Sequence, residues 1–162
     1  MHRESGQLSD AETCFLRALS IYRVRLGEHN IKVGILLSKL AYLYWKENKL
    51  EAVRDLLQRS VEVKLRALGE TLETAKTMQD LGDVQLELGD YSPAVENLRA
   101  ALAIRRAQKG TPETIAENLC LLARACGKQN MFEEVFQFLD EATRINEAHP
   151  SRRVSELLND GV

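Results

Sequence analysis

The chain has 162 residues, 44% of them apolar and 28% charged, with a formal net charge of −2. That balance fits an ordinary soluble domain with a real core, and it supplies no long-range field for nucleic acid or anionic lipid. No apolar run approaches the ~18 residues of a membrane span, and the polar start MHRESGQLSD lacks the apolar stretch of a secretory signal. Neither a membrane nor nucleic acid is therefore expected as partner, and the expected location is cytoplasmic, cytoskeletal association included.

Gly27, Gly69 and Gly110 stand 42 and 41 residues apart, each behind an amphipathic run. A fixed period of that size marks stacked repeats, whose units cannot bury their apolar faces alone. In chain order the pattern predicts helices near 8–26, 33–47, 51–67, 74–88, 92–108, 114–128 and 132–147. A turn signal precedes every second one: Gly6-Gln7-Leu8, Asn48-Lys49-Leu50, Gly89-Asp90-Tyr91 and Asn130-Met131-Phe132. Gly or Asn there suits a left-handed helix cap.

Behind each turn the residues fall into columns. Ala11, Val53, Ala94 and Val135 come first, then Phe15, Leu57, Leu98 and Leu139. Ala18, Ser60, Ala101 and Ala142 form a small column, followed by Ile21, Val63, Ile104 and Ile145. Their offsets of 4, 3 and 3 trace one apolar stripe at helical period. The helices between carry Gly34, Ala75 and Ala116 in one column and Leu37, Met78 and Leu119 in another. The reading is all-α, about seven helices in antiparallel pairs without a strand. A helical array over 1–150 divides into a partial unit, 6–30, and full units 31–72, 73–112 and 113–150. Residues 151–162 begin a further helix or cap, with Ser151 as its cap and Val154, Leu157 and Leu158 on one face. Phe15, Leu16, Leu19 and Tyr22 face the place of an absent first helix. The chain thus reads as a segment, short isoform or truncated product of a longer array, with a free-standing small protein as the alternative, able to self-associate through its exposed end helices.

Chemistry-bearing residues are sparse. Cys14, Cys120 and Cys126 form no CxxC pair, and His2, His29 and His149 fall at a terminus and in loops, so no metal site is expected. The chain has no Gly-rich phosphate loop, HExxH or GxSxG. Neither a catalytic site nor a cofactor is expected. The acid pairs Glu133-Glu134 and Asp140-Glu141 read as solvated helix surface. Arg105-Arg106 with Lys109, and Arg152-Arg153, are local basic clusters balanced by acids elsewhere.

Leu40-Ala41 and Leu81-Gly82, the Gly-Asp-Tyr-x-x-Ala turn at 89–94 and the small column together resemble tetratricopeptide repeats. The usual unit of that family has 34 residues, and the excess here is about two helical turns. Arg25–Val33, Ala67–Ala75, Lys109–Ala116 and His149-Pro150 resemble the long-unit variety of kinesin light chains. The resemblance implies a right-handed α-solenoid with a concave wall of first helices, and a scaffold or adaptor that binds a peptide or protein segment there. Carried over column by column, it implies Ser38, Tyr42, Trp45 and Lys46 as peptide-binding residues, with Lys76, Gln79, Asp83, Arg124 and Lys128 from the later units. Ile35, Leu86, Glu87, Glu117, Cys120 and Gly127 complete those columns, all expected to be free of the helix–helix stripe. Where kinesin light chains commonly carry an Asn-Asn pair, this chain has Ser38-Lys39, Gln79-Asp80 and Cys120-Leu121. Asp80 and Asp83 also stand where a chaperone-tail clamp needs neutral or cationic donors, which argues against that ligand. A structural or oligomerisation segment and a regulatory part of a larger protein are the alternatives.

Overall fold

The structure is a computed structural model that describes the backbone of residues 2–160 and the surroundings of side chains 10–159. Eight helices follow in order: α1 (His2–Leu26), α2 (Ile31–Lys46), α3 (Leu50–Leu68), α4 (Leu72–Leu88), α5 (Tyr91–Ala107), α6 (Pro112–Lys128), α7 (Phe132–Ala148) and α8 (Arg152–Asp160). There is no strand among the described residues, and the all-α expectation holds. The seven expected helices are α1 to α7, and α8 is the further helix expected after Pro150. The turn expected at Gly6-Gln7-Leu8 is instead helical backbone, because α1 runs on from His2.

Regular boundaries come from local chemistry. Each first helix starts on a side chain that accepts a backbone N–H: Asn30 from Lys32, Thr71 from Thr74 and Thr111 from Thr114. The second helices α3, α5 and α7 have no such side-chain cap. They are entered through left-handed residues instead, Asn48, Gly89 and Asn130. The turns at Asn48, Gly89 and Asn130 are thus where the sequence places them. At the third unit boundary the left-handed residue is Lys109, one before Gly110. Gly110 serves a different need: a Cβ there would stand 3.2 Å from the Arg105 carbonyl oxygen and from its Cβ.

The chain divides into two compact units, 1–69 and 70–162. In the first, α2 packs against α1 and α3. Leu19 of α1 is buried with Val33, Leu36 and Leu37 of α2, and Phe15, Ala18 and Tyr22 lie against them. This corrects the expectation that Phe15, Leu19 and Tyr22 stand uncovered, since α2 covers them. It also turns α1 relative to the expected stripe, so that Ile21 faces out together with Leu16 and Val24. On the other side of α2, Ser60 occupies the small column and donates its hydroxyl hydrogen to the Gly34 carbonyl over 2.7 Å.

In the second unit α4 pairs with α5 and α6 with α7, α5 packs on α6, and α8 lies on α6 and α7. Ala94, Leu98, Leu119, Leu122 and Ala142 share one core with Leu86, Cys120 and Val154. Val154 anchors α8 there, with Leu157 and Leu158 beside it, on the face the sequence indicates. Ser151 stands directly before α8, its carbonyl accepts from the Ser155 N–H over 3.0 Å, and its hydroxyl donates to Glu113 over 2.7 Å.

Candidate functional site

The nine carried-over residues divide between the two units. In the first, Tyr42 is 62% exposed on α2, and the Lys46 amine one turn on lies 4.9 Å from its ring centroid. That distance is a cation–π contact, which holds both side chains on one open face. Trp45 is half-buried at the end of the same helix. Ser38 is partly buried and shares a 2.7 Å hydrogen bond with Ser60, so it ties α2 to α3. Tyr42, Trp45 and Lys46 are held by the last turns of a helix whose other face is core.

In the second unit, Lys76 pairs with Asp80 over 3.2 Å and Arg124 with Glu87 over 3.2 Å. Lys128 is exposed at the end of α6. Asp83 is partly buried, and its carboxyl is raised above the usual range, chiefly because burial disfavours its charge, against the pull of Arg124. Gln79 is buried and accepts from Arg105, so it faces inward. Leu86 and Cys120 are core residues, contrary to the expectation that every column of the first helices is free of packing. Burial lifts the Cys120 thiol to about 11, and an unreactive thiol is the result.

The site that sequence reading missed is a cleft of about 400 Å³ lined in part by charged side chains, wholly within the second unit. Lys76 and Asp80 of α4, Arg105 of α5, the α6 start at Thr111 and Thr114, Glu117 and Arg153 of α8 line it. Arg105 is only 4% exposed, and Arg153 pairs with Glu117 over 3.2 Å. Arg105 looked like one more surface charge because its neighbour Arg106 is one. The available signal was its column: Lys64 lies 41 residues earlier and is also buried. Among the described residues no group of three or more His, Cys, Asp or Glu is placed to hold a metal ion. No described helix is long and apolar enough to cross a membrane.

The Tetratricopeptide repeat family model matches residues 1–66 and 54–107. The chain belongs to the tetratricopeptide repeat family. Such repeats are generally protein–protein interaction modules, and this fold is that of a non-catalytic repeat scaffold. Among solved structures, a putative kinesin light chain of Podosopora anserina with nearly identical TPR-like repeats superposes with a TM-score of 0.81. It is 20% identical, and the match covers 99% of this chain and 79% of that one. BtubC (BKLC) from P. vanneervenii gives a TM-score of 0.80 at 24% identity, over 90% of this chain and 61% of that one. The repeats are thus of the kinesin light chain-like type in fold. The secreted RxLR effector protein RXLR-C07 of Plasmopara halstedii is 31% identical over 91 residues, 54% of this chain. This chain spans only 28% of the length of that curated relative.

Proposed function

We propose that the chain is a scaffold or adaptor that holds a peptide or protein segment against the first helices of its repeats, in the groove that the family resemblance implies. The observation that carries this reading is the open face of α2. Tyr42 there is largely solvent-exposed beside Lys46, on a helix whose opposite face, with Val33, Leu36, Leu37, Leu40 and Leu43, is core. An aromatic ring offers much contact area for little lost rotamer entropy, and an adjacent ammonium adds an acidic preference. Trp45 extends that patch. In the second unit Arg124 and Lys128 are the cations on the exposed side of α6, and Lys76 and Asp83 are their counterparts on α4. Gln79, turned inward, supports rather than touches a partner. A cytoplasmic setting belongs to this reading.

Affinity capture with the full chain tests it. Partners retained by the unaltered chain should be lost with Tyr42→Ala/Trp45→Ala and kept with Phe136→Ser, a change on the exposed side of α7. Equal capture by all three overturns the proposal.

A second reading, self-association, is favoured by a separate observation. Val24 is 85% and Phe136 73% exposed, with Leu16, Ile21 and Phe132 also open. Apolar patches of this kind mark contact surfaces.

A further inference from the structure

We propose that the cleft of the second unit is a binding site for a phosphate group, with the buried guanidinium of Arg105 as its floor and Lys76, Arg153 and the start of α6 as its walls. The starting point is an imbalance of charge. Arg105 is almost wholly buried, yet its hydrogen-bond partner is the neutral amide oxygen of Gln79. A buried cation without an anion is costly, which is why such groups are ordinarily paired. Burial lowers the pKa of Arg105, with Glu117 and then Asp80 opposing; Asp80 is on the rim and Glu117, its side chain 15% exposed, lies deeper, and each already holds another cation. Asp80 holds Lys76 and Glu117 holds Arg153, each over 3.2 Å. A guanidinium carries five N–H donors, and Gln79 takes one bond.

The size and shape of the missing charge point to its chemistry. Lys76, Arg105 and Arg153 face Asp80 and Glu117 around the cleft, an excess of one positive charge. The N-terminus of α6 adds about half a charge more, and the Glu113 carboxylate in its first turn is outside the cleft lining and accepts from Ser151. A phosphomonoester carries roughly −1.5 to −2 at neutral pH and matches that total better than a carboxylate at about −1. The cations also come from three separate helices, Lys76 from α4, Arg105 from α5 and Arg153 from α8. A planar carboxylate accepts near one plane, whereas a tetrahedral group accepts from all these directions. Gly110 keeps the wall thin, since a Cβ there would press on Arg105. The site uses neither Tyr42 nor Trp45, so its failure and that of the scaffold reading are separable.

The test is an amide-shift titration of the full chain at constant ionic strength, with inorganic phosphate, phenyl phosphate and acetate as probes. Saturable shifts should concentrate at 110–117, with either phosphate binding at least about five-fold tighter than acetate. Binding of phenyl phosphate should strengthen from pH 5.5 to 7.5 as the second ionisation of the monoester, at pKa ~6, completes. Arg105→Met keeps the apolar stem and should abolish saturation. Lys76→Gln and Arg153→Gln, both on the exposed rim, should each weaken binding several-fold with an unchanged fold, and they carry the test should the Met variant not fold. Phosphoserine peptides that bind tighter than inorganic phosphate would assign the group to a partner chain, and equal binding would assign it to a free anion. Acetate binding as tightly as phosphate, non-saturable shifts, or rim variants that bind like the unaltered chain would overturn the proposal.

Discussion

Tyr44 donates its hydroxyl hydrogen to Glu12 over 2.6 Å, joining α2 to α1, and the Lys49 amine lies 4.8 Å from its ring centroid. The bond to Glu12 and, after it, burial push the phenol to about 12. The folded chain therefore holds this proton more tightly than the unfolded chain does. The stabilisation is fully present below pH 10 and is lost as pH rises through about 12. Absorbance titration should show a phenolate step near pH 12 that disappears in Tyr44→Phe and moves down in Glu12→Gln. At pH 8 Tyr44→Phe should lose roughly 1 kcal/mol by urea unfolding. Asn118 on α6 makes the opposite case. It is fully buried, and neither amide atom has a hydrogen-bond partner. Leu36 occupies the same column two units earlier and is buried in an apolar cluster. Asn118→Leu should raise stability by about 1 kcal/mol, because an unmet polar group leaves the core. A lower unfolding midpoint would show that the amide is satisfied by bound water. Neither Tyr44–Glu12 nor the burial of Asn118 was legible in the sequence, since hydropathy assigns a polar residue to the surface by default.

Helix pairing depends on small residues at close approaches. A Cβ on Gly82 of α4 would lie 2.6 Å from Cγ of Leu98, a fully buried residue of α5. Gly82→Ala would gain helix propensity, yet it should destabilise, because the clash is with a core side chain that has no room to yield. Ala101 in the small column is fully buried, whereas Ala107 at the end of the same helix is exposed. Ala101→Leu should therefore cost ~1–3 kcal/mol, and Ala107→Leu far less; equal melting shifts would place the contact elsewhere. These columns were legible because each pair repeats one packing problem. Three solutions of one problem leave a period that a single helix would not show. The first helix was harder to read. The turn signal at Gly6 is overridden by continuous helix, and Ile21, in the apolar column by spacing, faces out while Leu19 faces α2. A period fixes which residues are equivalent in sequence, and only the neighbours present fix which of them are buried. The candidate site was legible in part for the same reason. Tyr42 and Lys46 lie on the open face their columns imply, but in the column of Ser38 Gln79 is buried against Arg105 and Cys120 points into the core. Arg105, which closes the cleft, looked like ordinary surface charge.

At the scale of the whole molecule, the exposed apolar residues decide how the chain behaves in solution. On α1, Leu16, Ile21 and Val24 are open, and on α7 Phe132 and Phe136 are open one turn apart. Covering a side chain of this kind is worth about 1.5–3 kcal/mol when burial is complete. Even partial cover of three or four of them would offset much of the entropy that a weak association costs. Expected affinity is thus micromolar rather than nanomolar, and assembly should follow concentration. Sedimentation velocity at low micromolar concentration should show species heavier than the 18.3 kDa chain that dissociate on dilution. Ile21→Lys/Val24→Lys and Phe132→Ser/Phe136→Ser separate the two patches. If α1 mediates the contact, only the first pair returns the chain to a monomer; if α7 does, only the second. If one patch meets the other, either pair suffices. All these changes lie on exposed positions, so far-UV circular dichroism should be unaltered. A monomer at every concentration for the unaltered chain would show that these faces tolerate water, and would leave the α2 face as the favoured interaction surface.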